Sequence, residues 1–148
     1  MNLSQLFLEV AAWLHLCQLP GVIFLSRHVV DLRADLPKLH PLTRAIFVVI
    51  GVSVVSLLVF LGVAMGSYAD DVLASEFGLL LCLALGIFWF VRLAVQFWYY
   101  SSSLWPLHRS GVLAHYALLA IFALQTAGYL AAWTLTLAGH NSYAVVRT

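Results

Sequence analysis

The chain has 148 residues, of which 64% are hydrophobic and only 9% are charged, and its formal net charge is +1. Soluble domains carry about 25% charged residues, and a small domain cannot bury this much apolar surface. The composition therefore excludes an ordinary soluble domain, and the small net charge argues against a nucleic-acid partner, which needs a concentrated basic face.

Four apolar segments are long enough to cross a bilayer, which requires roughly 20 residues per helix. They cover about residues 5–26, 44–67, 75–100 and 111–138. The segments are too long and too uniformly apolar for the alternating strands of a membrane barrel. The sequence therefore predicts a single all-α domain, residues 1–148, with four transmembrane helices in an up-down-up-down bundle.

The first predicted helix carries polar residues on two faces. His15 and Gln18 lie near its middle on one face, whereas Glu9 and Trp13 lie more than about 100° away. We expect the first face to pack inside the bundle and Glu9 and Trp13 to contact lipid or a partner protein. Pro20 removes a backbone hydrogen bond and predicts a kink.

Basic residues are concentrated in the first and third loops. In or beside those loops lie Arg27, Arg33, Lys38, Arg44 and Arg109. The second loop carries Asp70 and Asp71 and has no Lys or Arg. The positive-inside rule therefore places loops 27–43 and 101–110 in the cytoplasm and both termini outside.

The second predicted helix ends in the sequence GVAMG, from Gly62 to Gly66. Two small residues at this spacing allow another helix to approach closely. The neighbour is either a helix of the same bundle or a helix of a second subunit, so both glycines are candidate contact residues.

The third predicted helix places Arg92, Gln96 and Tyr99 on one face among aromatic residues. Three interpretations of Arg92 remain open. The arginine snorkels toward the interface, it pairs with a carbonyl or acidic group of another helix or subunit, or it binds an anionic headgroup or ligand. The three residues are therefore candidate lipid or partner contacts.

The fourth predicted helix aligns one stripe of polar and aromatic residues: His115, Leu119, Phe122, Thr126, Tyr129 and Trp133. This stripe is typical of a packed, hydrogen-bonded core, and a cofactor-lined face is the alternative. With His15 and Arg92, His115 is a candidate cofactor-binding residue for haem or quinone. The two histidines are predicted at different depths, which weighs against bis-histidine haem ligation, and no cofactor is required by the sequence.

Catalytic and metal-binding patterns are missing from the sequence. Neither a hydrolase motif nor a carboxylate pair at metal-ligand spacing occurs. The two cysteines, Cys17 and Cys82, fall inside apolar segments and make neither a disulfide framework nor a Cys/His zinc pattern. The sequence therefore predicts no enzyme and no metal site.

Two motifs carry a resemblance to known proteins. Trp13-Leu-His15 and the pattern FWxxRLxxQFxYY, from Phe88 to Tyr100, resemble uncharacterised bacterial inner-membrane proteins of about this length with four spans. The resemblance implies a multi-pass protein of the bacterial inner membrane, and it implies no activity and no site.

We expect a non-catalytic accessory or structural subunit of a larger bacterial membrane complex, of respiratory or photosynthetic type. Its partners would be membrane lipids and other integral membrane subunits. The alternative is a small membrane protein that binds haem b, quinone or a pigment. A small transporter is a third hypothesis, although transporters usually have inverted repeats or paired broken helices.

Overall fold

The computed structural model describes residues 2–24, 32–98 and 109–145, and every regular element in those residues is helical. In chain order the helices are α1 (Leu3–Phe24), α2 (Leu32–Asp35, followed by a 3-10 turn at Leu36–Lys38), α3 (Pro41–Ser67), α4 (Ala69–Ala74), α5 (Glu76–Trp98) and α6 (Arg109–Val145). Helices α1, α3, α5 and α6 are long and apolar enough to cross a membrane. The predicted all-helical class, with four helices long and apolar enough to cross a membrane, is confirmed.

Helix α3 begins at Pro41, three residues before the predicted start at 44. A proline at the first helical position loses no helical hydrogen bond, since that N–H would be unpaired, and its φ angle already suits a helix. His40 caps the helix, because its Nδ1 accepts a hydrogen bond from the Leu42 backbone N–H at 3.3 Å. Pro41 is therefore well suited to start α3.

The predicted second loop contains the short helix α4. Ala69 and Leu73 are buried, so one face of α4 covers the end of the bundle against α1, α5 and α6. The turn into α5 is capped by Ser75, whose Oγ accepts the Gly78 backbone N–H at 3.0 Å. A Cβ on Gly78 would collide with the Val72 carbonyl, so this turn requires glycine.

Helix α1 lies at the centre of the arrangement, packed against α3 on one side and α6 on the other. Helix α5 packs along α6 and also reaches α1, where Trp89 contacts His15, whereas α3 and α5 make no extended contact along their described lengths. This arrangement explains why α1 has two polar faces, because each face contacts a different helix of the same chain.

Small residues permit the two contacts of α1. A Cβ on Gly62 would lie 2.9 Å from the Leu16 Cγ, and one on Gly128 would lie 2.8 Å from the Ala11 Cβ. Without these side chains the helices can pack backbone to backbone, which is the usual source of helix association in lipid.

Helices α5 and α6 run antiparallel in a defined register. Gln96 contacts His115 at 3.0 Å, and the rings of Trp89 and Phe122 stack at 5.3 Å between centroids. Position 96 of α5 therefore lies opposite position 115 of α6, and position 89 lies opposite position 122, so each step back along α5 matches one step forward along α6. Position 119 therefore lies opposite Arg92.

Candidate functional site

The buried polar centre of the bundle is His15, which is 0% exposed. Its Nδ1 lies 3.2 Å from the Ala11 carbonyl oxygen and 3.1 Å from the Ala12 carbonyl oxygen. Carbonyl oxygens only accept, so the tautomer that carries hydrogen on Nδ1 satisfies this contact. Nε2 then presents a lone pair, and no described residue donates a hydrogen bond to it.

Two aromatic rings enclose the His15 imidazole. Trp89 and Tyr129 both meet it edge to face, at centroid distances of 5.2 Å and 5.8 Å. The Tyr129 hydroxyl lies 3.4 Å from Nδ1. Among the described residues the Trp89 indole N–H has no acceptor, although Trp89 is only 3% exposed.

A second buried polar contact joins α1 to α6. Gln18 Nε2 donates to Gln125 Oε1 at 2.6 Å. Gln125 is fully buried, and its own Nε2 has no acceptor in the part of the chain described. Unpaired buried polar atoms cost free energy, so the centre of the bundle retains hydrogen-bonding capacity that water or a polar ligand atom would use.

A cleft of about 410 Å³ opens between α3 and α5, with α1 and α6 as its floor. Its walls are mostly apolar and include Val54, Leu57 and Leu61 of α3. Gln18 and Arg92 are its polar lining residues. The cleft exists because α3 and α5 flank the α1–α6 pair without closing over it.

The guanidinium of Arg92 lies over the Phe122 ring, with Cζ 5.3 Å from the ring centroid. Phe122 is opposite Trp89, which is three residues before Arg92 on α5, so the side chain points back along the helix. Helical side chains normally lean toward the helix N-terminus. Arg92 therefore extends away from Trp98 and toward the middle of α5, which differs from the snorkelling interpretation.

Gln96, which the sequence analysis placed beside Arg92, has a different partner. It is 2% exposed, and its Nε2 lies 3.0 Å from His115 Nδ1. This pair joins α5 to α6 inside the bundle. Tyr99, the third residue of the predicted face, lies outside the described residues.

The predicted contact residues Glu9 and Trp13 both meet other parts of the same chain. Gln5 Nε2 donates to Glu9 Oε1 at 3.0 Å and lies 3.3 Å from Asp70 Oδ2. The Trp13 indole packs on Gly66, where a Cβ would lie 3.0 Å from Cε2. Gly66, like Gly62, therefore serves contact between α1 and α3.

The candidate cofactor residues do not converge on one point. His15 contacts Tyr129, and His115 lies 14 residues earlier on the same helix, which is roughly 21 Å along the axis. One haem cannot be ligated by two histidines at that separation. Of the three residues, Arg92 is the one that lines the cleft.

The sequence alone did not identify several close helix–helix contacts made by small residues. Ala11 and Ala12 are fully buried, and Gly86 and Gly128 pack against Leu130 and Ala11 respectively. The sequence shows these small residues at helical spacing, which indicates close helix contacts. Which residues they contact depends on the order of the helices around α1.

The beginning of α3 stands apart from the rest of the bundle. All residues from 41 to 57 are exposed, on every side of the helix, and we call them the open segment. A Cβ on Gly51, in the middle of this segment, would meet no atom within 4 Å. Among the described residues, no group of three His, Cys, Asp or Glu side chains is placed to hold a metal ion. Protein-family models, curated proteins and solved structures give no match to this chain.

Proposed function

We propose that this chain is an accessory, non-catalytic subunit of a larger bacterial membrane complex, and that the open segment of α3 is where another subunit docks. The observation that carries the proposal is the exposure of residues 41–57 on every side of the helix.

The open segment is unusual for a helix in a bundle. Only 11% of the most apolar stretch of α3 is buried, against 28% to 33% in the other three long helices. Helices in lipid associate through van der Waals packing of small residues. Ser53 and Ser56 lie three residues apart on one face of the open segment, and both are exposed. This face supports the docking of a helix from a partner.

The proposed arrangement in the membrane follows from charge. Loops 27–43 and 101–110 would lie in the cytoplasm and both termini outside, so that the helices alternate in direction as an up-down-up-down bundle. The resemblance of the two motifs to bacterial inner-membrane proteins supports the bacterial inner membrane as the location.

Photo-crosslinking in native membranes tests the docking proposal. A photoreactive amino acid at Ser53 or Ser56 should give one discrete adduct with an integral membrane protein. The two proteins should occur in that adduct at a fixed ratio. The matched control is Phe90, which is 57% exposed on α5 and outside the open segment. It should give lipid adducts only.

A bulky substitution provides the second arm of this experiment. Ser56→Trp should abolish co-purification of the crosslinked partner, because the indole blocks close helix approach, whereas Phe90→Trp should leave it intact. Recovery of the native protein as a lone monomer in mild detergent, with no adduct at either serine, contradicts the proposal.

The cleft between α3 and α5 favours a second function, the binding of a small membrane-soluble ligand. Its volume of about 410 Å³ lies within the roughly 300–1,000 Å³ typical of small-molecule sites. Native mass spectrometry and an absorption spectrum of the purified protein would detect a retained ligand. Protein that releases no small molecule and has no visible band would contradict this function.

A further inference from the structure

We infer that the cleft between α3 and α5 takes a single-chain amphiphile with a carboxylate head, of the fatty-acid class, and that Arg92 binds the carboxylate. The inference rests on the second function proposed above. The cleft shares Val54 and Leu57 with the open segment, whereas the proposed docking face carries Ser53 and Ser56.

The positive charge of Arg92 in the cleft has no anionic counterpart in the described part of the chain. Among the described residues no side chain forms an ion pair or a hydrogen bond with Arg92, and the residues that line the cleft include no Asp or Glu. A guanidinium carries five N–H donors and accepts nothing. Its natural partner is therefore an anion with two oxygens in one plane, which a carboxylate supplies.

The contact with Phe122 does not offset the cost of this position. A charged side chain inside a membrane helix is costly unless it is paired. A cation–π contact recovers only part of that cost. An anion in the cleft would supply the remainder, because charge-assisted hydrogen bonds strengthen where water is excluded.

The depth of the guanidinium distinguishes between anionic lipids. Phe122, on which it lies, is opposite Trp89, and Trp89 is nine residues before Trp98, which is roughly 14 Å along α5. Trp98 is 77% exposed and is the type of residue that marks the membrane interface. A phospholipid keeps its phosphate at that interface. A fatty acid has a compact head that can enter the cleft to the depth of Arg92.

The shape and lining of the cleft fit an alkyl chain. Along the cleft the wall formed by α3 rises roughly 10 Å from Val54 to Leu61. Its leucine and valine walls match the chain of a fatty acid, and Gln18 adds one hydrogen-bonding side chain near the head.

The test uses the full-length protein in lipid nanodiscs and a long-chain fatty acid with a photoreactive diazirine in its chain, at about pH 8, where a free carboxylic acid in water is ionised. Mass spectrometry should locate the adduct on cleft residues such as Leu57 and Leu118. Unlabelled fatty acid should compete for labelling, whereas the fatty alcohol of equal chain length should not.

Two variants separate the carboxylate contact from the cleft itself. Arg92→Gln should lower labelling of the cleft by at least about tenfold, as expected for the loss of a charge-assisted hydrogen bond. Leu61→Trp, which fills the cleft and keeps Arg92, should also abolish it. Arg109→Gln removes an exposed arginine outside the cleft and should leave labelling unchanged.

The remaining outcomes distinguish the carboxylate inference from the broader proposal that the cleft binds a ligand. Equal competition by the alcohol, equal labelling of Arg92→Gln, or stronger displacement by a quinone would overturn the carboxylate inference and leave a ligand-binding cleft. Adducts only on outward-facing residues, equally in wild type and Leu61→Trp, would overturn both the inference and the ligand-binding function.

Discussion

Gln18 and Gln125 illustrate how a buried pair of amides depends on both partners. Replacing one leaves the other buried without its hydrogen bond, at a cost of about 1–3 kcal/mol, whereas replacing both removes the unpaired groups together. We expect Gln18→Leu and Gln125→Leu each to destabilise the protein and the double variant to cost less than the two single changes combined.

Reversible unfolding in mixed detergent would measure this double-mutant cycle. Gln18→Leu should be the more costly change, because it leaves the fully buried Gln125 amide without a partner among the described residues, whereas Gln18 also borders the cleft. Strictly additive free energies of unfolding would show that the 2.6 Å contact contributes no coupling.

Gly128 is a second residue at which a small change has a large expected effect. An added Cβ would lie 2.8 Å from the Ala11 Cβ and 3.0 Å from the Phe7 carbonyl oxygen, and the latter is backbone that cannot swing away. Gly128→Ala should therefore lower the free energy of unfolding by about 1–3 kcal/mol.

The matched control for this substitution is Gly51→Ala. A Cβ at Gly51 meets nothing within 4 Å, so only helix propensity changes, and the variant should be neutral or up to about 1 kcal/mol more stable. Equal effects of the two substitutions, measured by the same unfolding assay, would contradict a close α1–α6 contact at Gly128.

At the scale of single residues, sequence patterns predict whether a side chain faces the interior better than they predict which residue it contacts. Spacing on the helical wheel placed His15, Gln18, Thr126 and Tyr129 toward an interior, and all four are buried. The same reasoning paired Gln96 with Arg92, whereas Gln96 contacts His115. The pairing depends on the rotation and register of α5 against α6, which no local pattern in either helix encodes.

At the scale of elements, the turn from α4 into α5 depends on Ser75. Its Oγ accepts the N–H of Gly78, one of the backbone donors that a helix N-terminus leaves unpaired. Ser75→Ala should destabilise the protein by about 1 kcal/mol. Ser53→Ala, in the exposed part of α3, is the control and should change stability by less, as read from thermal unfolding in detergent.

Helix α4 itself was not predicted, because the sequence ADDVLA has the polar composition of a loop. Its burial arises from tertiary position: Ala69 and Leu73 cover the ends of α1, α5 and α6. The four long helices, in contrast, follow from hydropathy alone, since a bilayer requires the same length and apolarity whatever the neighbours are. Their starting residues were less predictable, as Pro41 shows.

At the scale of the whole molecule, the proposed orientation predicts which loops face the cytoplasm. Cysteine labelling in spheroplasts, in a chain lacking Cys17 and Cys82, provides the measurement. Asp71→Cys should react with a membrane-impermeant maleimide before permeabilisation, and Leu39→Cys only afterwards, because the positive-inside rule places the first loop in the cytoplasm. The reverse order of labelling would invert the orientation.

The order of the helices around α1 has a consequence for biogenesis. Helix α1 leaves the ribosome before α6 and presents His15 and Gln18, yet their partners Tyr129 and Gln125 belong to α6. Until α6 is inserted, two polar side chains of α1 must be sheltered in the bilayer by water, by the insertion machinery or by temporary neighbours. Chains released after α5 should therefore be held at the insertion machinery or degraded, so that only chains that include α6 remain in the membrane.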